Sequence, residues 1–167
     1  MKKLVSLFLF MFFSAFADDN EIYVDQVGAT ASIDLEQLGS GNIIGGLNSA
    51  HGSMTNFDLD GATMTLDVNQ IGNNNKMLGD INAGSFTGIF DFDGSTNTFT
   101  LDLATNALAS SADIDTIVQG SSNTVHIDLD VDSGTNYIDL DGDSNTVDVV
   151  QSGYAGGYFK LEHDGST

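Results

Sequence analysis

Glycines fall on a fixed beat in this chain, and that beat restricts the fold more than any other feature. Successive intervals along Gly28, Gly39, Gly61, Gly72 and Gly94 are 11, 22, 11 and 22, and those along Gly120, Gly142 and Gly153 are 22 and 11. The step from Gly94 to Gly120 is 26, which places a four-residue insertion within 104–113. Self-similarity at a constant period marks a chain of small units, each of which buries its apolar side only by stacking on the next.

Amides keep the same time. Asn42, Asn75, Asn97, Asn123 and Asn145 each stand three residues after one of these glycines, and Gln26, Gln37, Gln70 and Gln151 each stand two residues before one. Gln119 directly precedes Gly120, one place out of phase, which predicts a bulge or a local change of register. Ala50, Ala83, Thr105 and Val131 occupy positions where the beat calls for Gly, and Gly52, Gly84 and Gly134 follow one to three residues late, so looser turns are expected there.

Between the markers apolar residues alternate with polar ones: Ile33 and Leu35; Met64, Leu66 and Val68; Phe99, Leu101 and Leu103; Val125, Ile127, Leu129 and Val131; Val147 and Val149. A period of two means β-strands with one dry face. Asp34, Glu36, Asp67, Asp102, Asp128, Asp130 and Asp148 fill the other phase and belong on the outer face. Gly-x-x-Asn turns the chain between strands, because Gly accepts positive φ and Asn tolerates turn geometry. The expected fold is therefore all-β, a solenoid of six to seven strand-turn-strand coils with a period of 22, stacked about 4.8 Å apart. The chain has no Pro, which suits strands whose every N–H is needed by a neighbour.

Residues 1–17 stand outside this pattern. Lys2 and Lys3, the apolar run 4–13 and the small-residue site Ala15-Phe16-Ala17 have the form of a signal peptide, which leaves 18–167 as one repeat domain of a secreted protein. Removing Lys2 and Lys3 takes the formal charge from −20 to −22. So acidic a chain is a poor partner for nucleic acid or anionic lipid, which both require cations. No further apolar run is long enough for transmembrane anchoring by a helix. With no Cys, neither a disulfide framework nor a Cys-based zinc site is open to it.

The pattern Gln-x-Gly-x-x-Asn-x-Φ-x-Φ-x-Gln, with Φ aliphatic, resembles the curlin repeat of bacterial curli fibres. It is fullest at 26–42, with partial copies at 68–75, 91–99, 120–129 and 139–153. Phe92 and Leu140 replace the repeat's Gln, while Ala31, Met64 and Gly156 replace its Asn. The resemblance implies a fibre subunit on the surface of a Gram-negative bacterium. It implies partners too: copies of the chain itself, a homologous nucleator or major subunit, and outer-membrane secretion proteins. In that setting a Gln or Asn, being donor and acceptor at once, forms ladders along the stacking axis and penalises slipped registers.

Other readings remain. Asp58-Leu-Asp60-Gly61, Asp91-Phe-Asp93-Gly94 and Asp139-Leu-Asp141-Gly142-Asp143 have the oxygen-rich character of calcium loops, so a calcium-binding β-roll or adhesin is the alternative. Spacing opposes it, since β-rolls repeat every nine residues. Thr63, Thr65, Thr96, Thr98 and Thr100 could form the hydroxyl rows of an ice-binding solenoid. His51, His126 and His163 are dispersed and no nucleophile and base can be assembled, so no enzyme and no cofactor are expected. Phe57, Phe86, Phe90, Phe92, Tyr137, Tyr154 and Tyr158 are expected in the core or stacked between coils.

Overall fold

The computed structural model describes residues 20–39, 41–46, 55–94, 96–103, 109–153 and 156–165. The expected signal peptide, Ala50, His51, Gly52, Thr105 and Tyr154 lie outside them. Twelve strands and no helix are present among the described residues: β1 Glu21–Tyr23, β2 Asp25–Val27, β3 Thr30–Leu38, β4 Ile43–Gly45, β5 Phe57–Ile71, β6 Lys76–Asp93, β7 Thr98–Leu103, β8 Ser111–Gln119, β9 Thr124–Asp130, β10 Gly134–Asp141, β11 Thr146–Ser152 and β12 Gly157–Asp164. Nor does any helix there have the length and apolarity to cross a membrane.

Every strand pairing is parallel, and the strands stack as a β-solenoid of six coils. Each coil has two arms. First arms (β1 with β2, β4 with the start of β5, the start of β6, β7, β9, β11) form one column. Second arms (β3, the end of β5, the end of β6, β8, β10, β12) form the other. In coils two and three, β5 and β6 run through the corner between the arms without a break, so Gly84 marks no looser turn.

Lys76 lies beside Thr98 and Thr124 beside Thr146, each a stacking offset of 22 in sequence number. Ser85 lies beside Ser111, an offset of 26 that confirms the four-residue insertion ahead of β8. Two offsets depart from the uniform period. Gly134 stacks on Gly157, one residue late. In the first two coils Glu21 pairs with Ile43 at the ordinary offset, but Asp25 pairs with Asp58 and Thr30 with Thr63, each half a period further on. An extra half-repeat of sequence therefore falls between Gly46 and Thr55, and the Gly46 N–H donates to Thr55 O at 2.9 Å. Gly28 thus lies under Gly61 and Gly39 under Gly72, where a uniform period would set neither pair together.

Alternation places the core. Met64, Leu66, Val68, Phe99, Leu101, Leu103, Val125, Ile127 and Leu129 are buried in it, each contributing about 1.5–3 kcal/mol of apolar transfer. Ile33, Leu35, Val147 and Val149 pack against it from the end coils and stay half-buried. Phe57, Phe86, Phe90 and Phe92 are buried as expected. Glycines make room for them: a Cβ on Gly79 would lie 1.9 Å from the Phe57 ring and one on Gly88 2.5 Å from that of Phe90. Tyr137 and Tyr158 are the exceptions. Their strand phase sends them outward, and Tyr158 is 57% exposed.

Candidate functional site: the amide columns and the two end coils

At the corner after each second arm, Gly39, Gly72, Gly94, Gly120, Gly142 and Gly165 stack in a single column. Substituting any of the last five by a residue with a Cβ would drive that atom to 1.4–2.4 Å from the carbonyl oxygen of the glycine below. Backbone packs on backbone at that corner, which excludes every other side chain. Gly39 and Gly142 also have φ of 132° and 138°, where an L side chain is strained.

Three residues on, the chain passes an asparagine. Asn42, Asn75, Asn97 and Asn123 are buried, and Asn145 is half-buried. Their backbones also stack, with Thr98 N–H bonded to Asn75 O, Thr124 to Asn97 O and Thr146 to Asn123 O. The Asn97 amide donates to Asn123 Oδ1 at 2.9 Å, and that of Asn123 to Asn145 Oδ1 at 2.8 Å. These three form the amide ladder that the sequence predicts. Lower down the amides turn to carbonyls: Asn42 Nδ2 donates to Gln37 O at 3.1 Å, and Asn75 Nδ2 to Gln70 O at 2.5 Å and Asp93 O at 3.2 Å. None of these asparagines has positive φ. Among the described residues Ser144, at 61°, is the non-glycine that does, so the asparagines serve as interior amides instead of left-handed turn residues.

Sequence reasoning missed the column's first member, Asn20. Ile43 N–H donates to its carbonyl at 2.8 Å and its side chain donates to Leu38 O at 2.6 Å. Asn20 precedes Asn42 by one full period, so the beat extended backward reaches it; the Gly-x-x-Asn signature does not, because position 17 is Ala. Thr116 and Asn136, both buried, were also missed, because they break the apolar alternation inside otherwise regular strands.

The glutamines divide differently. Gln37 and Gln70 are buried neighbours, with Gln70 Nε2 donating to Gln37 Oε1 at 2.5 Å. Above them the same inward position holds Phe92, Val118 and Leu140, so this ladder has two rungs. Gln119 is not bulged. Asp93 and Gln119 pair in an unbroken register and Gln119 faces solvent, while Val118 takes the inward place. Gln26 and Gln151 share one inward position of the first-arm column but stand on coils one and six, with Leu59, Ile81, Leu103 and Leu129 between them. They are brought into one column and not into contact.

At the second corner stand Gly28, Gly61, Ala83, Ala109, Val131 and Gly153. Ala83 and Val131 are where the beat puts them, and the insertion carries Ala109 into the place assigned to Thr105.

Outward, Asp25, Asp58, Asp80, Asp102 and Asp128 form a row along the first arms. Burial, and then Asp60, Asp25 and Asp80, push the Asp58 carboxyl above its ordinary value. Burial acts likewise on Asp102, followed by Asp128 and Asp80, while His126 opposes. The Asp58-Asp60, Asp91-Asp93 and Asp139-Asp141 pairs all lie on strands β5, β6 and β10, not in loops. No three His, Asp or Glu side chains among the described residues converge as metal ligands. Thr63 and Thr65 lie on a second arm and Thr98 and Thr100 on a first arm, so they do not join into one hydroxyl array. His126 faces outward, with Nδ1 3.2 Å from Asp148.

The end coils complete the site. Among the described residues β1, β2 and β3 pair on one side only, as do β11 and β12. Apart from Gln37, which is buried, their inward side chains are half-buried or exposed, with Phe159 and Leu161 each 42% exposed. On coil six, Lys160 Nζ lies 2.6 Å from Glu162 and 4.9 Å from the centre of the Tyr137 ring. Tyr137 donates to Glu162 at 2.5 Å, and that hydrogen bond foremost pushes the phenol up to about 12.

No family model, no curated protein and no solved structure matches this chain.

Proposed function

We propose that the protein is a structural subunit that adds to copies of itself into an extracellular, curli-type amyloid fibre serving adhesion and the biofilm matrix. The end coils carry this reading, since among the described residues β3 on coil one and β11 and β12 on coil six pair on one side only. A strand edge with unsatisfied N–H and C=O groups above a dry inward row templates a further strand. A second copy supplies one at each end, and because the contact is heterologous the chain of copies does not close. The resemblance of the repeat to curlin, and the secretory form of 1–17, support the same reading.

Fibre diffraction and electron microscopy of residues 18–167 test it. Filaments with a meridional reflection near ~4.8 Å are expected after incubation. A solution that stays monomeric at high protein concentration in concentrated salt, where the acidic faces no longer repel, would overturn it.

A further inference from the structure

We propose that these copies join with a single polarity and register, coil six of one lying on coil one of the next, and that Lys160 set against Asp34 of the next copy selects this junction. The inference rests on the fibre reading above.

Continuing the two columns past coil six with the offsets seen inside the molecule brings β11 over β1 and β2, and β12 over β3. Inward rows then meet in kind. Gln151 comes to Gln26, which would make the second Gln–Gln contact of the type seen between Gln37 and Gln70. Phe159 comes to Ile33, so the exposed ring gains an apolar floor. A slip of two residues keeps apolar side chains inward but takes Gln151 off Gln26, so that each amide loses the other in a drying interface.

Polarity comes from the outer face. Asp34, Asp67, Ile89, Asp115, Tyr137 and Lys160 form one outward row, acidic at coil one and basic at coil six. Lys76 and Lys160 are the cations among the described residues, and Lys76 belongs to coil three. Joining two coil-one ends would set the strand of Asp34 and Glu36 against an antiparallel copy of itself, an acidic row against an acidic row with no cation among the described residues of that coil. In the proposed junction Glu162 comes opposite Glu36, and Lys160, already bonded to Glu162, supplies the charge that both glutamates and Asp34 require. The Lys160 side chain is 43% exposed and keeps donors for a further carboxylate.

Seeded elongation measures this directly. K160D and K76D change the net charge equally, one at the junction and one in mid-column. With wild-type seeds K160D is expected to slow elongation about ten-fold and K76D less than about two-fold, and D34K combined with K160D, elongating seeds of the same double variant, to recover most of the rate. Circular dichroism verifies that each variant folds.

A second measurement does not depend on charge. The chain has no Cys, so oxidised fibres of S32C/Y158C, a pair that faces across the proposed junction, should give a ladder of disulfide-linked multimers in denaturant, and S32C/E162C should give monomers. Wild-type fibres in which K160D and K76D slow growth equally, or in which both cysteine pairs behave alike, overturn the junction and leave the fibre standing. Absence of fibres from the wild type removes both.

Discussion

The two corners of the solenoid solve one problem in different ways. After every second arm the chain turns on glycine, in all six coils, and each glycine above Gly39 lies against the carbonyl of the one below. After the first arm it turns on Gly28, Gly61, Ala83, Ala109, Val131 and Gly153, and the three with side chains are buried. At the first corner an asparagine enters the interior three residues later and the backbones are drawn together. At the second, β5 and β6 simply bend, and coils three to five have room for a methyl or isopropyl group, while a Cβ on Gly61 or Gly153 would lie 2.4 or 1.6 Å from the carbonyl oxygen below. A repeat of eleven is thus a repeat in the sequence only, since its alternate beats do unlike things.

Substitutions at the corners put this contrast to the severest trial. Gly120→Ala would place its Cβ 1.9 Å from Gly94 O and should cost at least about 3 kcal/mol in urea unfolding. Ala109→Gly, at the other corner, should cost about 1 kcal/mol. Similar losses would show that the corners are equivalent.

Asn123→Ala comes next, because it removes an acceptor for Asn97 and donors to Asn145 and to Gly120 O. About 2 kcal/mol is expected, and Asn123→Asp should rescue little, since a carboxylate has no N–H. Asn145→Ala, with one ladder neighbour among the described residues, should lose about half as much by the same measurement.

The Gln37–Gln70 pair predicts a sign reversal. Either single change to Leu removes the Gln–Gln bond, leaves the remaining buried amide with only a backbone carbonyl as partner, and should cost about 1–2 kcal/mol. The double change should cost less than either, because Phe92, Val118 and Leu140 already occupy that position higher in the column. A strictly additive pair would mean that the bond between them contributes nothing.

Acid should have the smallest effect. Folding raises Asp58 and Asp102, beside the first arms, and Asp91, beside the glycine corner, in each case chiefly by burial. Their charge opposes folding in full at neutral pH, and that opposition fades as pH falls through the raised values toward the ordinary 3.8. Tm should therefore rise slightly on acidification from pH 7 toward about 4, and Asp58→Asn should capture part of the gain at pH 7. A Tm that falls over this range would contradict the direction of all three.

What could be read in advance follows from which forces are periodic. Alternation and phased glycines report one unit after another, so the strands, the dry face at Met64, Leu66 and Val68, and the four-residue insertion were legible. The extra half-repeat after Gly46 was not, because it preserves the beat while changing which glycine stacks on which. Gln119 misled for a related reason: its residue type fits the repeat but strand parity, which the sequence shows in Val118, sends it outward. The fate of Gln26 and Gln151 depends on the number of coils between them, and no local pattern contains that number.

The bond between Gly46 and Thr55 has a practical corollary. It joins the two ends of the extra half-repeat, so β4 and the start of β5 form one continuous first arm across it. Under the proposed stacking, a peptide tag spliced between Gly46 and Thr55 would be displayed once per subunit, on the coil directly next to coil one.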